Sequence, residues 1–551
     1  MSLSGPHDPF LPADEPADGD DGEQPAAPTG PQRVAISTSP PWAGATGLVG
    51  ITPATGAASG QVTQQLPYGA SSSAPYTVSS SPRGGRIKRV LAVLLVLALL
   101  GGAAAFVFRD RLFPKETGPS HPGEWDPRVA GLAEMVSTER GLEWTHPVFV
   151  DYLAEADYTA LFAPAVPTVS SPEDATVALR IQLYDAWGLA VGYDPTAGES
   201  ALFAGTTLAY YSPDTDRVSV RGDQLTPATR VAIVHELTHA LQAQHFDVQS
   251  ASAGTLSLRA VLEADAMRVE DVYRATLSSA DRTAAGESTL LADSADPALA
   301  GVPWPVIERR NAPYVLGPPL VQQVFATDGN VGVNQLIRTP PSEEVLLNPW
   351  LYGTDQREAP VTVTVPDGAS VIDAPQPLSE LDVLIMLDAW LPWRQARAAL
   401  DGWGGGGFTS YEQDGHVCFT ATASFEQSGD LFANAITDWA EAAGSDAAPA
   451  VIVNDVTFEA CARGPGAAVP AAPVVSTLQA LTLEHDAIAL AGPNPSAADI
   501  ENYQCYAATM IDDELLAPLL FLEHRTADQQ AVYLWETTLA ANACDVTPQT
   551  P

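Results

Sequence analysis

Positive charge is scarce in this chain, and no lysine follows Lys115. Only 26 of its 551 residues are Lys or Arg, against 67 Asp or Glu, so the formal net charge is −41. Nucleic acids and anionic lipid surfaces are bound by clustered cations, which the sequence after Lys115 does not offer. We therefore expect no nucleic acid among its partners.

Cysteine is also scarce, and no two cysteines form a Cys-x-x-Cys metal pair. The four cysteines all lie in the last quarter of the chain, at Cys418, Cys461, Cys505 and Cys544. Such placement is typical of structural disulfides in an oxidising compartment. Of the three possible pairings we favour Cys418–Cys461 with Cys505–Cys544, because Cys418 belongs to the strand-like run Val417–Thr422 and Cys461 directly follows the run Val451–Ala460.

A long uncharged apolar run extends from Val90 to Phe108. At about 1.5 Å per residue it can cross a hydrocarbon core of about 30 Å, so we predict a transmembrane helix over residues 87–109. The flank before it carries four cations, Arg83, Arg86, Lys88 and Arg89. By the positive-inside rule the N-terminus is cytoplasmic and the rest of the chain is outside, at the cell membrane. Residues 1–82, rich in Pro, Gly and Ser, are expected to form a disordered cytoplasmic tail.

The most informative motif is His-Glu-Leu-Thr-His at residues 235–239. Two histidines four positions apart lie on one face of a helix, where both rings can hold one metal ion. Glu236 is then placed to take a proton from metal-activated water and pass it to the leaving group. Thr226 and Pro227 predict the start of this helix, and the apolar residues around the motif predict its burial.

Two residues are candidates for the third metal ligand, His245 and Glu263. His245 has the spacing of the long metzincin motif, but that motif needs a glycine where this chain has Gln242. If the helix continues, His245 lies about 9 Å beyond His239 along the helix axis, too far to share one ion with it. Glu263 lies near the apolar face of a second predicted helix, Ser257 to Leu277, where an unpaired carboxylate is costly. We favour Glu263.

The residues from Val234 to Asp247, followed by Leu262-Glu-Ala-Asp-Ala266, resemble the gluzincin class of zinc peptidases, in particular membrane-tethered bacterial members. The resemblance covers roughly residues 205–270. It implies Zn²⁺ as the cofactor, a zincin-like α+β domain and a peptide or protein substrate. The carried-over site residues are His235, His239 and Glu263 as metal ligands and Glu236 as the catalytic base.

Two further segments resemble these peptidases more loosely. Tyr314, in Ala-Pro-Tyr-x-x-Gly, is interpreted either as a donor to a reacting oxyanion or as a buried structural tyrosine, and we do not count it as catalytic. Asn348 stands where similar proteins tend to carry histidine, which puts any role of that loop in doubt. A predicted hairpin, Leu208–Ser212 with Val218–Arg221, precedes the metal helix, and we expect Val218–Arg221 to be a sheet edge that receives substrate.

We expect a metallopeptidase domain over residues 110–402 and a disulfide-tied α+β accessory domain over residues 403–551. The glycine run Gly402-Trp-Gly-Gly-Gly-Gly-Phe408 is interpreted as a turn between them, after a predicted helix from Leu378 to Leu400 that is interrupted near Pro392. The function expected from these features is zinc-dependent peptide hydrolysis at the outer side of the membrane. The alternatives are a catalytically inactive binding module and an amide hydrolase acting on cell-envelope polymer.

Overall fold

The computed structural model describes residues 120–162, 172–195, 202, 207–248, 255–286, 301–354, 358, 361–492, 495–522 and 524–546. The predicted tail at 1–82 and the predicted membrane span at 87–109 lie outside these residues. Within the described ranges, no helix is both long and apolar enough to cross a membrane. The described residues all belong to one compact unit.

Helices make up most of this unit. They are α1 (Ala130–Arg140), α2 (Glu155–Ala160), α3 (Pro172–Ala186), α4 (Pro227–His245), α5 (Leu256–Thr276), α6 (Ser279–Ala285), α7 (Trp304–Arg338), α8 (Glu343–Leu347), α9 (Glu380–Asp388), α10 (Trp393–Ala398), α11 (Asp430–Ala443), α12 (Thr477–Ala489), α13 (Ala497–Ile511) and α14 (Ala527–Ala543). The strands are β1 (Phe149–Leu153), β2 (Ala209–Ser212), β3 (Arg217–Arg221), β4 (Ser370–Val371), β5 (Gln376–Pro377), β6 (Trp403–Gln413), β7 (His416–Phe425), β8 (Ala450–Ile452) and β9 (Asp455–Cys461). The predicted α+β class is confirmed.

The smaller sheet has the strand order β1-β3-β2. β2 and β3 form the predicted antiparallel hairpin, and β1 pairs with β3 in parallel. The expectation that Val218–Arg221 is a sheet edge is therefore wrong, because β3 is covered on both sides. Strand β1 lies far from β3 in the sequence, and no local sequence pattern predicts that the two strands pair. Among the described strands of this sheet, β2 is the edge nearest to α4 in sequence.

Helix α4, which carries the His-Glu-Leu-Thr-His motif, begins as predicted. The Thr226 side chain accepts a hydrogen bond from the Thr229 N–H, and Pro227 occupies the first turn, where a missing N–H costs nothing. Residues 231–242 are all buried, so the helix runs through the interior rather than along the surface. It continues unbroken through Gln242 to His245.

The second predicted helix, α5, begins after Thr255, whose side chain caps the Leu258 N–H. It packs closely against α7 at Gly317. A Cβ at Gly317 would lie 2.0 Å from the Ala260 carbonyl oxygen and 2.9 Å from the Ala264 Cβ. Glycine is required here because the two helix backbones touch, and this contact fixes the position of α5.

The larger sheet is antiparallel, with the order β4-β6-β7-β9-β8 and with β5 also paired to β6. The interpretation of the glycine run as a turn is wrong, because Gly404–Gly407 lie inside β6. A Cβ at Gly406 would lie 2.9 Å from the Leu378 Cβ, and one at Gly407 would lie 2.8 Å from the Val363 Cγ2. These glycines let neighbouring segments approach the strand closely.

Both favoured disulfides are present, Cys418–Cys461 and Cys505–Cys544. Cys418 and Cys461 lie directly opposite each other in β7 and β9. The interrupted helix near Pro392 is confirmed as α9 and α10. One hydrophobic core takes side chains from both sides of residue 402, and Trp187 stacks on Phe419 with ring centroids 4.2 Å apart. The domain division at residue 402 stays a prediction.

Candidate metal centre

The structure brings His235, His239 and Glu263 together. Their metal-binding atoms all lie within 4.8 Å of one another. Glu263 Oε2 is 3.1 Å from His235 Nε2 and 3.2 Å from His239 Nε2. All three residues are 0 % exposed. Helix α4 supplies both imidazoles from one face, and α5 supplies the carboxylate across the helix contact.

The charges of this group attract one another strongly. Burial alone would lower the pKa of His235, but hydrogen bonds to Glu263 and Glu270 outweigh it and raise that pKa to about 9. Burial would raise the pKa of Glu263, yet the adjacent histidines hold it below its ordinary value. Two imidazole nitrogens and one carboxylate oxygen could therefore hold a divalent cation in place of the protons that now link them.

Glu236 lies beside this group and is itself 1 % exposed. Its Oε2 accepts a hydrogen bond of 2.7 Å from the Tyr211 N–H of β2. Its Oε1 is buried without a hydrogen-bond partner in the part of the chain that the structure describes. Burial raises the pKa of Glu236 well above its ordinary value, and the His239 charge and the Tyr211 N–H offset this only in part. A cation at the three ligands would act in the same direction as these two groups.

Each histidine has a second partner on its other ring nitrogen. His235 Nδ1 lies 3.2 Å from Glu270 Oε2, and Glu270 in turn binds Arg274. His239 Nδ1 lies 2.9 Å from Gln242 Oε1. Such partners fix the orientation and the protonated nitrogen of a ligand histidine.

Sequence reasoning missed these supporting residues, although part of the signal was present. Gln242 follows His239 by three positions and Glu270 follows Glu263 by seven, spacings that return to the same helix face. The role of the Tyr211 N–H had no such signal, because it depends on where β2 lies against α4.

The other candidates lie outside the three-residue group. His245 ends α4, and its Nε2 lies 2.7 Å from the Glu143 carbonyl oxygen. The Asn348 amide donates to the Glu344 carbonyl and accepts from Arg397, which also pairs with Glu484. This arrangement holds Asn348 as part of a buried polar network.

Tyr314 of α7 is fully buried, and its hydroxyl has no hydrogen-bond partner among the described residues. Burial raises the pKa of Tyr314 well above its ordinary value, and the negative charges of Glu263 and Glu236 add to the effect. Its unpaired hydroxyl is thus electrostatically coupled to the same site.

No protein-family model, curated protein or solved structure matches this chain. The resemblance to gluzincins therefore stays a prediction from the motifs quoted above.

Proposed function

We propose that this chain is a membrane-anchored zinc metallopeptidase that hydrolyses peptide bonds outside the cytoplasm. The observation that carries the proposal is the unpaired Oε1 of Glu236 beside three buried metal-ligand side chains. A buried carboxylate oxygen without a partner is costly, and a purely structural metal site has no use for it. A hydrolytic site needs such an oxygen, because its base must be free to take a proton.

The donor set fits Zn²⁺. Two histidine nitrogens and one carboxylate oxygen match the three protein ligands of catalytic zinc sites, which leave further coordination open. When bound, zinc lowers the pKa of water and polarises the acyl oxygen of the substrate. Because His235, His239 and Glu263 come from two packed helices, the site is built on rigid elements.

The roles of the surrounding residues follow from their hydrogen bonds. The Tyr211 N–H holds Glu236 Oε2, which leaves Oε1 to accept a proton from water and return it to the leaving amine. The unpaired Tyr314 hydroxyl would donate to the oxygen that becomes negative as the peptide carbonyl is attacked.

We take the arrangement of β2, α4 and α5 as zincin-like. The backbone of β2 contacts Glu236 through Tyr211, so an extended peptide added to the outer edge of β2 would run past the base. The substrate strand would thus run alongside β2, with the Tyr211 N–H kept for Glu236, rather than alongside Val218–Arg221. The predicted span at residues 87–109 would hold this site at the extracytoplasmic surface of the cell membrane.

The test is to incubate the purified full-length chain with a peptide library and to identify products by mass spectrometry, with and without a chelator. We expect about one zinc per chain, cleavage that the chelator abolishes, and recovery when zinc is restored. Glu236→Gln should keep its zinc but lose hydrolysis roughly 100- to 10,000-fold, because an amide cannot accept the proton.

Glu134→Gln, on the exposed side of α1, is the matched control and should cleave as the wild-type chain does. Undiminished cleavage by Glu236→Gln would move the chemistry to another residue. Stoichiometric zinc without any cleavage would favour the binding-module alternative.

A further inference from the structure

The side chain of Gln242 is fully buried and makes three hydrogen bonds. Its Oε1 faces His239 Nδ1 at 2.9 Å, and its Nε2 donates to the Leu262 carbonyl at 3.1 Å and to Asp265 Oδ2 at 2.8 Å. An amide nitrogen only donates and an amide oxygen only accepts. Two acceptors at Nε2 therefore fix which end of the amide points toward His239.

This orientation determines the protonated nitrogen of His239. Because Gln242 Oε1 can only accept, His239 Nδ1 must carry a proton, and Nε2, which faces Glu263, is the nitrogen left to bind a metal once its own hydrogen bond to Glu263 is replaced. A histidine that binds a metal through Nε2 needs this tautomer. His235 is supported differently, by the carboxylate of Glu270.

Asp265, which orients Gln242, is held by an arginine from a distant helix. Arg140 Nε lies 2.8 Å from Asp265 Oδ2, and both side chains are completely buried. Arg140 also donates to Asn330 and Asn334 of α7, each at 2.8 Å. Arg268 contacts the other carboxylate oxygen of Asp265 at 3.3 Å. Asp265 is thus fixed by two cations.

We propose that Arg140, Asp265 and Gln242 form a positioning relay that sets the tautomer and ring orientation of His239 and thereby the metal affinity of the site. The inference rests on the proposed metal centre. In this relay Arg140 orients Asp265, Asp265 orients Gln242, and Gln242 selects the protonated nitrogen of His239. Helix α1, which contributes no metal ligand, becomes part of the metal site through Arg140.

The first test is a zinc titration of the full-length chain carrying Gln242→Ala. We expect zinc affinity to fall about 10- to 100-fold, the range for loss of a partner that orients a ligand. Gln244→Ala is the matched control, because Gln244 lies on the same helix but binds Thr145 and the His146 carbonyl instead. It should leave zinc affinity unchanged.

The second readout is nitrogen NMR of the metal-free chain with ring-labelled histidine. In the wild-type chain His239 Nδ1 should be protonated, because Gln242 accepts from it, whereas Gln242→Ala should lower the ratio of Nδ1 to Nε2 protonation, because Glu263 still accepts at Nε2. A residue with a merely structural role would not change this ratio. Wild-type zinc affinity together with an unchanged tautomer in Gln242→Ala would overturn the relay.

The role of Arg140 in the relay is tested by double substitution. Arg140→Met should weaken zinc binding, but combined with Gln242→Ala it should cause no further loss, because it acts through the amide. If Arg140→Met does not fold, Arg140→Lys replaces it and should lose affinity in the same non-additive way. Losses that simply add would show that Arg140 acts by another route.

These outcomes are separable from those of the proposed function. A wild-type chain that binds zinc but cleaves nothing would remove the peptidase proposal and leave the relay standing. If the wild-type chain cleaves peptides and Gln242→Ala binds zinc with normal affinity, the peptidase proposal stands and the relay is removed.

Discussion

At the scale of single residues, the candidate metal centre depends on how hydrogen bonds orient each ligand side chain. His235 and His239 each turn Nε2 toward Glu263 because Glu270 and Gln242 occupy their other ring nitrogens. His245 has no place in this arrangement, since its Nε2 contacts the Glu143 carbonyl. The two candidate third ligands should therefore respond very differently to truncation.

Zinc titrations of Glu263→Ala and His245→Ala test this difference. Glu263→Ala should lower zinc affinity by more than about 100-fold, because it removes a ligand and exceeds the loss expected for a supporting group. His245→Ala should stay within about tenfold of the wild-type chain. Tight zinc in Glu263→Ala with weak zinc in His245→Ala would reverse the ligand assignment.

At the scale of elements, the sequence predicted those features whose signals are local. Thr226 and Pro227 mark the start of α4, and an apolar stripe marks α5. The pairing of β1 with β3 joins segments far apart in the chain and has no local signal. The glycines of β6 wrongly predict a turn because glycine is typical of turns, whereas here the missing side chain makes room for Leu378 and Val363.

The contact between α5 and α7 gives an element-scale prediction. Gly317→Ala should destabilise the chain by about 1–3 kcal/mol or more, because its Cβ would meet the Ala260 backbone rather than a movable side chain. Since α5 carries Glu263, zinc affinity should fall as well. Urea unfolding and zinc titration measure the two effects.

Gly131 in α1 provides the matched control, because a Cβ there meets nothing within 4 Å. Gly131→Ala should be neutral or stabilise the chain by up to about 1 kcal/mol, from the higher helix propensity of alanine. Equal stability of the two variants would mean that α5 and α7 are not in backbone contact.

At the scale of the whole molecule, several carboxylates are buried where their charged forms are disfavoured. Burial raises the pKa of Glu308, Glu343, Glu344, Asp271 and Asp388 to about 7 in each case. For Glu308 the hydrogen bond from the Leu478 N–H offsets only part of this rise. Between pH 5 and pH 7 the folded chain therefore keeps protons that the unfolded chain has released.

The free energy of unfolding should consequently fall as pH rises through this window, since the folded state binds more protons there. Urea titrations of the metal-free chain from pH 5 to pH 8 measure the slope. Glu308→Gln should flatten this slope and reduce the total fall in unfolding free energy across the range by up to about 3 kcal/mol, because the amide does not ionise. Glu134→Gln is the exposed control, and a flattening of equal size in that variant would contradict the assignment to Glu308.

Membrane topology is the second prediction at this scale. A reporter fused after Phe108 should be active only if it works outside the cytoplasm, and one fused before Arg83 only if it works inside. Neutral residues in place of Arg83, Arg86, Lys88 and Arg89 should weaken this preference, because these cations set the orientation. Reversed reporter activities would place the metal centre in the cytoplasm.

The disulfide between Cys505 and Cys544 joins α13 to the end of α14 and closes a covalent loop around everything between them. A peptide bond cut inside that loop cannot release the final helix, because both fragments remain linked through sulfur. Damage of this kind would leave the mass of the chain almost unchanged until a thiol reductant separated the pieces. The last helix is therefore retained by a covalent bond even when the backbone leading to it is broken.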